Sequence, residues 1–394
     1  MKILFVVQRF PPAIGGTERI AEDLADFLSE RHDVTVFTTT AFNLDSFWNH
    51  NAKKIEEENI KRYGLKRFEI VQPSRVNSEL AKIPFSVAIP GPFSPTMWKE
   101  IIKVGSTFDL IVVTSFPYNH VIPTYHAAKK SKVPIISIPN IHFEFPEIYL
   151  TGLRLALLNE SNAIVSNSQA DKDMLCKHNI PQDKIHVIPP SIDPHVWSQV
   201  KSIDIRSKLD ISKESILVLF SGFRSKEKGI IFLIESLKKL WKQKIDIDLI
   251  LIGPSGSDYD SYIRHQKMDV RKHIHDLGIV SNEEKMQIFN SCDIFALPSR
   301  SESFGIGYLE GWVCKKPVIG CNISVIKEVI SDNKNGMLVD FDNVIQLSKS
   351  LERLAKDSDL RESFGKNGFE TVISKYDSRK NLQVFEKLCE SITT

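Results

Sequence analysis

Several features are missing from this 394-residue sequence, and each absence narrows what it encodes. No C-x-x-C pair occurs among the five cysteines (Cys176, Cys292, Cys314, Cys321 and Cys389), which are odd in number and widely scattered. Neither a disulfide framework nor a zinc cage is suggested, and the compartment should be reducing. No excess of either charge exists: 51 Lys and Arg stand against 49 Asp and Glu, a formal net charge of +2. That balance argues against a protein that coats nucleic acid. No apolar run approaches the roughly 20 residues that span a bilayer. The short run that ends at Val7 meets Gln8 and Arg9 before it is long enough for a signal-peptide core. A cytoplasmic location is expected, with peripheral contact at the inner face of a membrane left open.

What is present is an ordinary globular composition, 42% hydrophobic and 25% charged. A single core rarely grows past about 250 to 300 residues, so two domains are expected. The opening reads as a strand (Lys2 to Val7), a loop (Gln8 to Gly16) and a helix whose apolar stripe is Ile20, Leu24, Phe27 and Leu28. A second strand, Val34 to Thr38, completes a βαβ unit, the building block of parallel sheets. Further strands are expected at 109–114, 133–138, 163–167 and 185–188, and residues 41–105 fit the rhythm poorly enough to read as an irregular insertion. Pro189, Pro190 and Pro194 stop helix and central strand alike and place a domain boundary near Asp193 to Asp210. The alternation restarts with strands at 216–220, 247–252, 293–297, 317–320 and 336–340. Ser281 with Glu284 has the capping-box pattern that opens a helix. The fold class is therefore α/β, two Rossmann-like, doubly wound parallel-sheet domains at 1–193 and 194–375, with a C-terminal helix at 376–394 expected to pack back on the first.

In such sheets ligands sit beyond the carboxyl ends of the strands. Three loops fall there. In the first, Gly15 and Gly16 precede a helix, which lets backbone approach a ligand and aims amide hydrogens at an anion. The same pair also suits a tight turn capped by Thr17. The second, Ser221 to Gly229, carries Arg224, Lys226 and Lys228 and would neutralise a diphosphate, although basic loops are often no more than solvated surface. The third runs from Pro298 to Glu310. Glu302 lies in a loop beside Ser303, Glu310 lies in the helix that follows, and between them the amides of Phe304 and Gly305 stand at the helix N-terminus, free to donate. Carboxylates accept from sugar and ribose hydroxyls; a cap and a surface charge would look the same.

Taken together these residues resemble the GT-B glycosyltransferases, specifically the large retaining family 4. Glu302-Ser-Phe-Gly with Glu310 is similar to that family's E-x7-E signature. Gly15-Gly16, Lys228-Gly229, Ile188-Pro189, Ile192-Asp193, Pro317-Val318-Ile319, Glu328 and Asn335-Gly336 keep the family's order over nearly the whole chain. The resemblance implies two domains facing each other across a cleft. It implies that Glu302 and the Phe304 and Gly305 amides contact a donor sugar, that Glu310 takes a nucleotide ribose, that Arg224 and Lys228 hold the diphosphate, and that Gly16 faces the sugar phosphates. A family histidine after a first-domain strand contacts the transferred sugar. His142 is the candidate, although Asn140 stands at the more usual offset from Pro134. The basic loop departs from the pattern by one position, with Phe223 where the family has Arg, so that Arg224 or Lys226 would substitute. Further departures are Gly311, Lys315 and the junction Pro190-Ser191.

The activity implied is transfer of a hexose-type sugar from a nucleotide-diphosphate sugar to a hydroxyl acceptor, a glycan, lipid-linked compound or small molecule. Anomeric configuration would be retained and no cofactor or metal used, since fixed cations and amides stabilise the leaving diphosphate. The rival readings are an epimerase or hydrolase acting on the same donor, and a non-catalytic nucleotide-sugar-binding subunit. Phe93, Met97 and Trp98 beside Lys99 and Lys103 suit either a bilayer-docking edge or the core of the insertion.

Overall fold

The structure is a computed structural model and describes residues 1–43, 45–47, 51–55, 62–71, 91–201 and 203–394. Pro84 and Pro90, within the 41–105 stretch, lie outside the described residues. The chain forms two compact units: 1–189 together with 381–394, and 190–380.

The first unit is built on seven parallel strands: β1 (Lys2–Val6), β2 (Asp33–Thr39), β3 (Gly64–Phe68), β4 (Leu110–Thr114), β5 (Ile135–Ile138), β6 (Ala163–Ser166) and β7 (Ile185–Val187), in the order β3-β2-β1-β4-β5-β6-β7. Alternation in β1 sends Ile3 and Phe5 to one apolar layer and Leu4 and Val6 to the other. Both faces are covered, as a parallel sheet requires. The helix Gly16–Leu28 covers the first face with Ala21, Leu24, Ala25 and Leu28. Phe385, Leu388 and Cys389 of the terminal helix Ser378–Thr393 join the same layer. Arg31 grips Glu386 by two bonds of 2.7 Å, and His32 lies 3.1 Å from the same carboxylate.

The second unit carries six parallel strands: β8 (Ile216–Ser221), β9 (Ile247–Ile252), β10 (Ile274–Asp276), β11 (Ile294–Leu297), β12 (Val318–Cys321) and β13 (Gly336–Val339), in the order β10-β9-β8-β11-β12-β13. β9 is buried at every position, and one continuous apolar core runs through this unit.

Two elements differ from the expectation for 41–105. β3 pairs in register with β2, Val36 opposite Leu65, and the helix Pro95–Val104 buries Met97 and Ile101. β3 escapes notice because it is an edge strand, with Lys66 and Arg67 among its five residues. Met97 is 0% exposed, which makes it core, while the Trp98 ring packs 5.3 Å from the half-exposed Phe93 ring. The five cysteines are free thiols. No helix among the described residues is long and apolar enough to cross a membrane.

Candidate active site

Strand order changes direction between β8 and β11 in the second unit and between β1 and β4 in the first. Loops leaving such neighbouring strands diverge to opposite faces and open a crevice at their carboxyl ends. The basic loop follows β8 and the Glu302 loop follows β11, so both flank the same switch point.

What allows these two loops to close on each other is Gly229. Its φ of +78° lies in the left-handed region, and a Cβ there would stand 2.0 Å from the Pro298 carbonyl oxygen. Side chains other than glycine meet both obstacles. With the loops in contact, the Arg300 amide donates to the Glu227 carbonyl at 2.8 Å. The Lys228 ammonium lies 2.8 Å from Glu302 Oε1. Glu302 is buried, whereas Lys228 is half-buried. A buried carboxylate held by one charge-assisted bond is fixed in direction before any ligand arrives.

Beyond Glu302, Gly305 caps the helix Ile306–Val313 with φ +87°, and a Cβ there would lie 2.5 Å from the Tyr308 ring. That ring is itself pinned, since its hydroxyl donates to the Leu297 carbonyl at 2.6 Å. Burial, with the nearby charge of Glu302, pushes the Tyr308 hydroxyl well above its ordinary value. The Phe304 side chain is buried edge-on against Tyr376, 5.5 Å between ring centroids. No backbone acceptor among the described residues takes the Phe304 or Gly305 amide. Ser303 is half-buried in the same loop. Glu310 projects from this helix and pairs with Lys285 of the neighbouring helix Asn282–Ser291. Lys285 carries no signal in the sequence, since nothing local links two side chains 25 positions apart on separate helices.

Arg224 and Lys226 make other contacts. Arg224 was expected to hold a diphosphate, but it is only 4% exposed and pairs with Asp276 at the end of β10, its guanidinium 5.3 Å over the Tyr259 ring. The chain pulls it inward because its backbone bridges to the loop after β9, Arg224 N–H to Pro254 O at 2.9 Å. Phe223, one position earlier, is 49% exposed. The Lys226 side chain is exposed, and its amide donates to Asp258. Of the three cations in the loop, Lys228 is the one the structure brings to Glu302.

In the first unit, Gly15 and Gly16 open the helix Gly16–Leu28, and a Cβ on Gly15 would strike the Glu18 carboxylate at 2.0 Å. Glu18 is buried and paired with Arg9 at 2.7 Å. Burial raises the Glu18 pKa, with Arg9 acting against it. The loop is thus closed over an internal ion pair. His142 follows β5, half-buried, with its ring 5.6 Å from Tyr149. Asn140 sits closer to the strand end, buried at φ +52°, and accepts from Asn167 at 3.1 Å. His120, after β4, is fully enclosed; its Nε2 lies 2.7 Å from the Thr114 carbonyl, and burial pushes it down to about 4.

The second unit's switch point thus gathers a half-buried cation, a buried carboxylate and helix-end amides on an α/β framework. Comparison with known proteins makes the class specific. The model of the glycosyl transferases group 1 family matches residues 201–371, and that of glycosyltransferase family 4 matches residues 14–196. An uncharacterized glycosyltransferase of Methanocaldococcus jannaschii is 31% identical over 274 residues, 66% of this chain and 76% of the relative. The chain belongs to the group 1 glycosyltransferases of the GT-B fold. A D-inositol 3-phosphate glycosyltransferase of Paenarthrobacter aurescens is 30% identical over 215 residues, 52% of this chain; the match spans about half (51%) of that relative's length. Among solved structures, Anabaena HepE in complex with UDP and glucose has the same fold, with a TM-score of 0.75 at 19% identity over 99% of this chain and 100% of that one.

Proposed function

We propose that the protein transfers a hexose-type sugar from a nucleotide-diphosphate sugar to a hydroxyl acceptor, with retention at the anomeric carbon and without a metal. The observation that carries the reading is the Lys228–Glu302 pair at the β8/β11 switch point, with the Phe304 and Gly305 amides beside it. In this scheme the bond between the anomeric carbon and the β-phosphate oxygen breaks as the acceptor oxygen bonds that carbon on the same face. The acceptor proton passes to the leaving phosphate, and the products are a glycosylated acceptor and a nucleoside diphosphate.

Lys228 sets a positive charge where the phosphate gains negative charge, and helix-end amides add to it; such prearranged groups stabilise the transition state most where water is excluded. Glu302 accepts from the sugar hydroxyls and Glu310 from the ribose. Gly15, Gly16 and His142 are assigned to the sugar and its phosphates, and Lys226, being exposed, to the outer edge of the diphosphate. The acceptor is a glycan, a lipid-linked compound or a small alcohol. HepE was crystallised with UDP and glucose, and the Paenarthrobacter relative is named a D-inositol 3-phosphate glycosyltransferase, which favours a nucleotide-sugar donor and a hydroxyl acceptor here.

The experiment is a mass-spectrometric screen of nucleotide sugars with a panel of alcohol acceptors, in the presence and absence of EDTA. Acceptor-dependent release of nucleoside diphosphate that survives EDTA supports the reading. Stoichiometric free sugar or epimer without acceptor identifies a hydrolase or epimerase instead, and tight nucleotide binding without turnover identifies a binding subunit.

A further inference from the structure

Glu310 sits on the helix Ile306–Val313 with its side chain 12% exposed. A carboxylate so little hydrated needs a hydrogen-bond partner, and that partner also sets its direction. The partner is Lys285. Its ammonium reaches one oxygen, Oε1, of Glu310 and lies 6.0 Å over the Phe289 ring, while Phe289 is locked in the core against Trp197 at 5.6 Å and Phe295 at 5.2 Å. The base of Lys285 is equally fixed: it stands one turn into a helix whose start is set by the Ser281–Glu284 capping box, and its amide donates to the Ser281 carbonyl at 2.9 Å. Both ends of the cation are therefore anchored by elements that do not depend on a ligand.

We propose that Lys285 is a positioning residue for nucleotide recognition: by holding Oε1 of Glu310 it turns the carboxylate so that Oε2 accepts the ribose hydroxyls of the donor. This rests on the ribose role of Glu310 in the function proposed above. One oxygen held by a lysine and one presented to a ligand is a different arrangement from a carboxylate hydrogen-bonded through both oxygens, as Glu386 is to Arg31. The first directs an acceptor atom outward, while the second consumes it. Because Lys285 acts through Glu310, its contribution vanishes once Glu310 has no charge to orient.

The test is a double-mutant cycle on nucleotide affinity, read by calorimetry on the full chain with UDP, GDP and ADP as probes, using whichever binds the wild type most tightly. Glu310→Gln weakens that nucleotide, which checks the underlying reading separately. Lys285→Met weakens it about tenfold in the wild-type background, the scale of one hydrogen bond to a charged group. In the Glu310→Gln background Lys285→Met leaves affinity unchanged within twofold. Lys285→Arg, which keeps the cation, restores most of the loss. Thermal melts of each variant confirm that they fold. If Glu310→Gln has no effect on affinity, the ribose assignment fails and this proposal with it. If Glu310→Gln weakens binding but Lys285→Met does not, or weakens it equally in both backgrounds, the ribose assignment stands and the positioning role is overturned.

Discussion

The Lys228 ammonium and Glu302 Oε1 stand 2.8 Å apart, 74 residues from each other in the chain, at the one place in the second sheet where the strand order turns back on itself. The pair matters for what it does to both members. Lys228 aims the buried Glu302 carboxylate, and Glu302 keeps a flexible lysine at the crevice. Lys228→Ala is expected to lower donor turnover by about a hundredfold, the scale of one lost electrostatic stabiliser of a developing oxyanion. Steady-state kinetics with the identified donor reads this, and near-normal kcat would remove Lys228 from the phosphate.

Arg224 should behave differently from Lys228. Since its guanidinium is enclosed between Asp276 and Tyr259, removing it leaves a carboxylate without its cation and a void beneath the loop. Arg224→Ala is expected to destabilise the fold by about 2 kcal/mol, at the lower end for broken pairs because Asp276 keeps some contact with water. Denaturant titration measures the change. Unaltered stability together with lost turnover would instead place Arg224 on the diphosphate.

Gly229→Ala tests the close approach of the two loops. A left-handed φ and a Cβ 2.0 Å from the Pro298 carbonyl force the loops to separate. A loss of about 1–3 kcal/mol in stability is expected, with a fall in kcat from displaced Lys228. Gly305→Ala should act likewise through Tyr308.

Attachment of the terminal helix should depend on pH. The hydrogen bond and charge of Arg31, joined by His32, hold the Glu386 carboxyl below its ordinary value of 4.5. A group with a lowered folded pKa contributes stability that is whole above the unfolded pKa and disappears as pH falls through the folded one. Glu386→Gln should therefore melt below the wild type at pH 7, and the gap should narrow once pH drops beneath about 4.5. A gap of constant size from pH 7 to pH 3 would mean that packing, not the ion pair, ties the helix down.

His142 and Asn140, both after β5, can be told apart by substitution. If His142 contacts the transferred sugar, His142→Ala lowers kcat at least about tenfold, a modest general acid–base or orienting effect, while Asn140→Ala chiefly lowers stability by breaking its bond to Asn167. The reverse pattern would assign the sugar contact to Asn140.

Much of this was legible because buried parallel strands leave long apolar runs: β1, β4, β8 and β9 stand out, and the loops after them could be placed beyond strand ends. β3 and β10 did not stand out. The first is an edge strand with consecutive cations, and the second is three residues long with one apolar member, so neither carries a periodicity to detect. The candidate loops were visible from Gly229, Glu302, Gly305 and Glu310, but the division of labour among the cations was not. Arg224, Lys226 and Lys228 look alike in a five-residue stretch, and only the bridge from Arg224 to the loop after β9 decides which of them turns inward. Lys285 had no signal, because its partner lies on another helix.

The most direct measurement is a crystal structure of the protein with a nucleotide-diphosphate sugar that it turns over. The β-phosphate is expected within hydrogen-bond distance of the Lys228 ammonium, with sugar hydroxyls on Glu302 and the ribose on Glu310. A diphosphate bound away from Lys228, with Lys228 and Glu302 still closed on each other, would contradict this expectation.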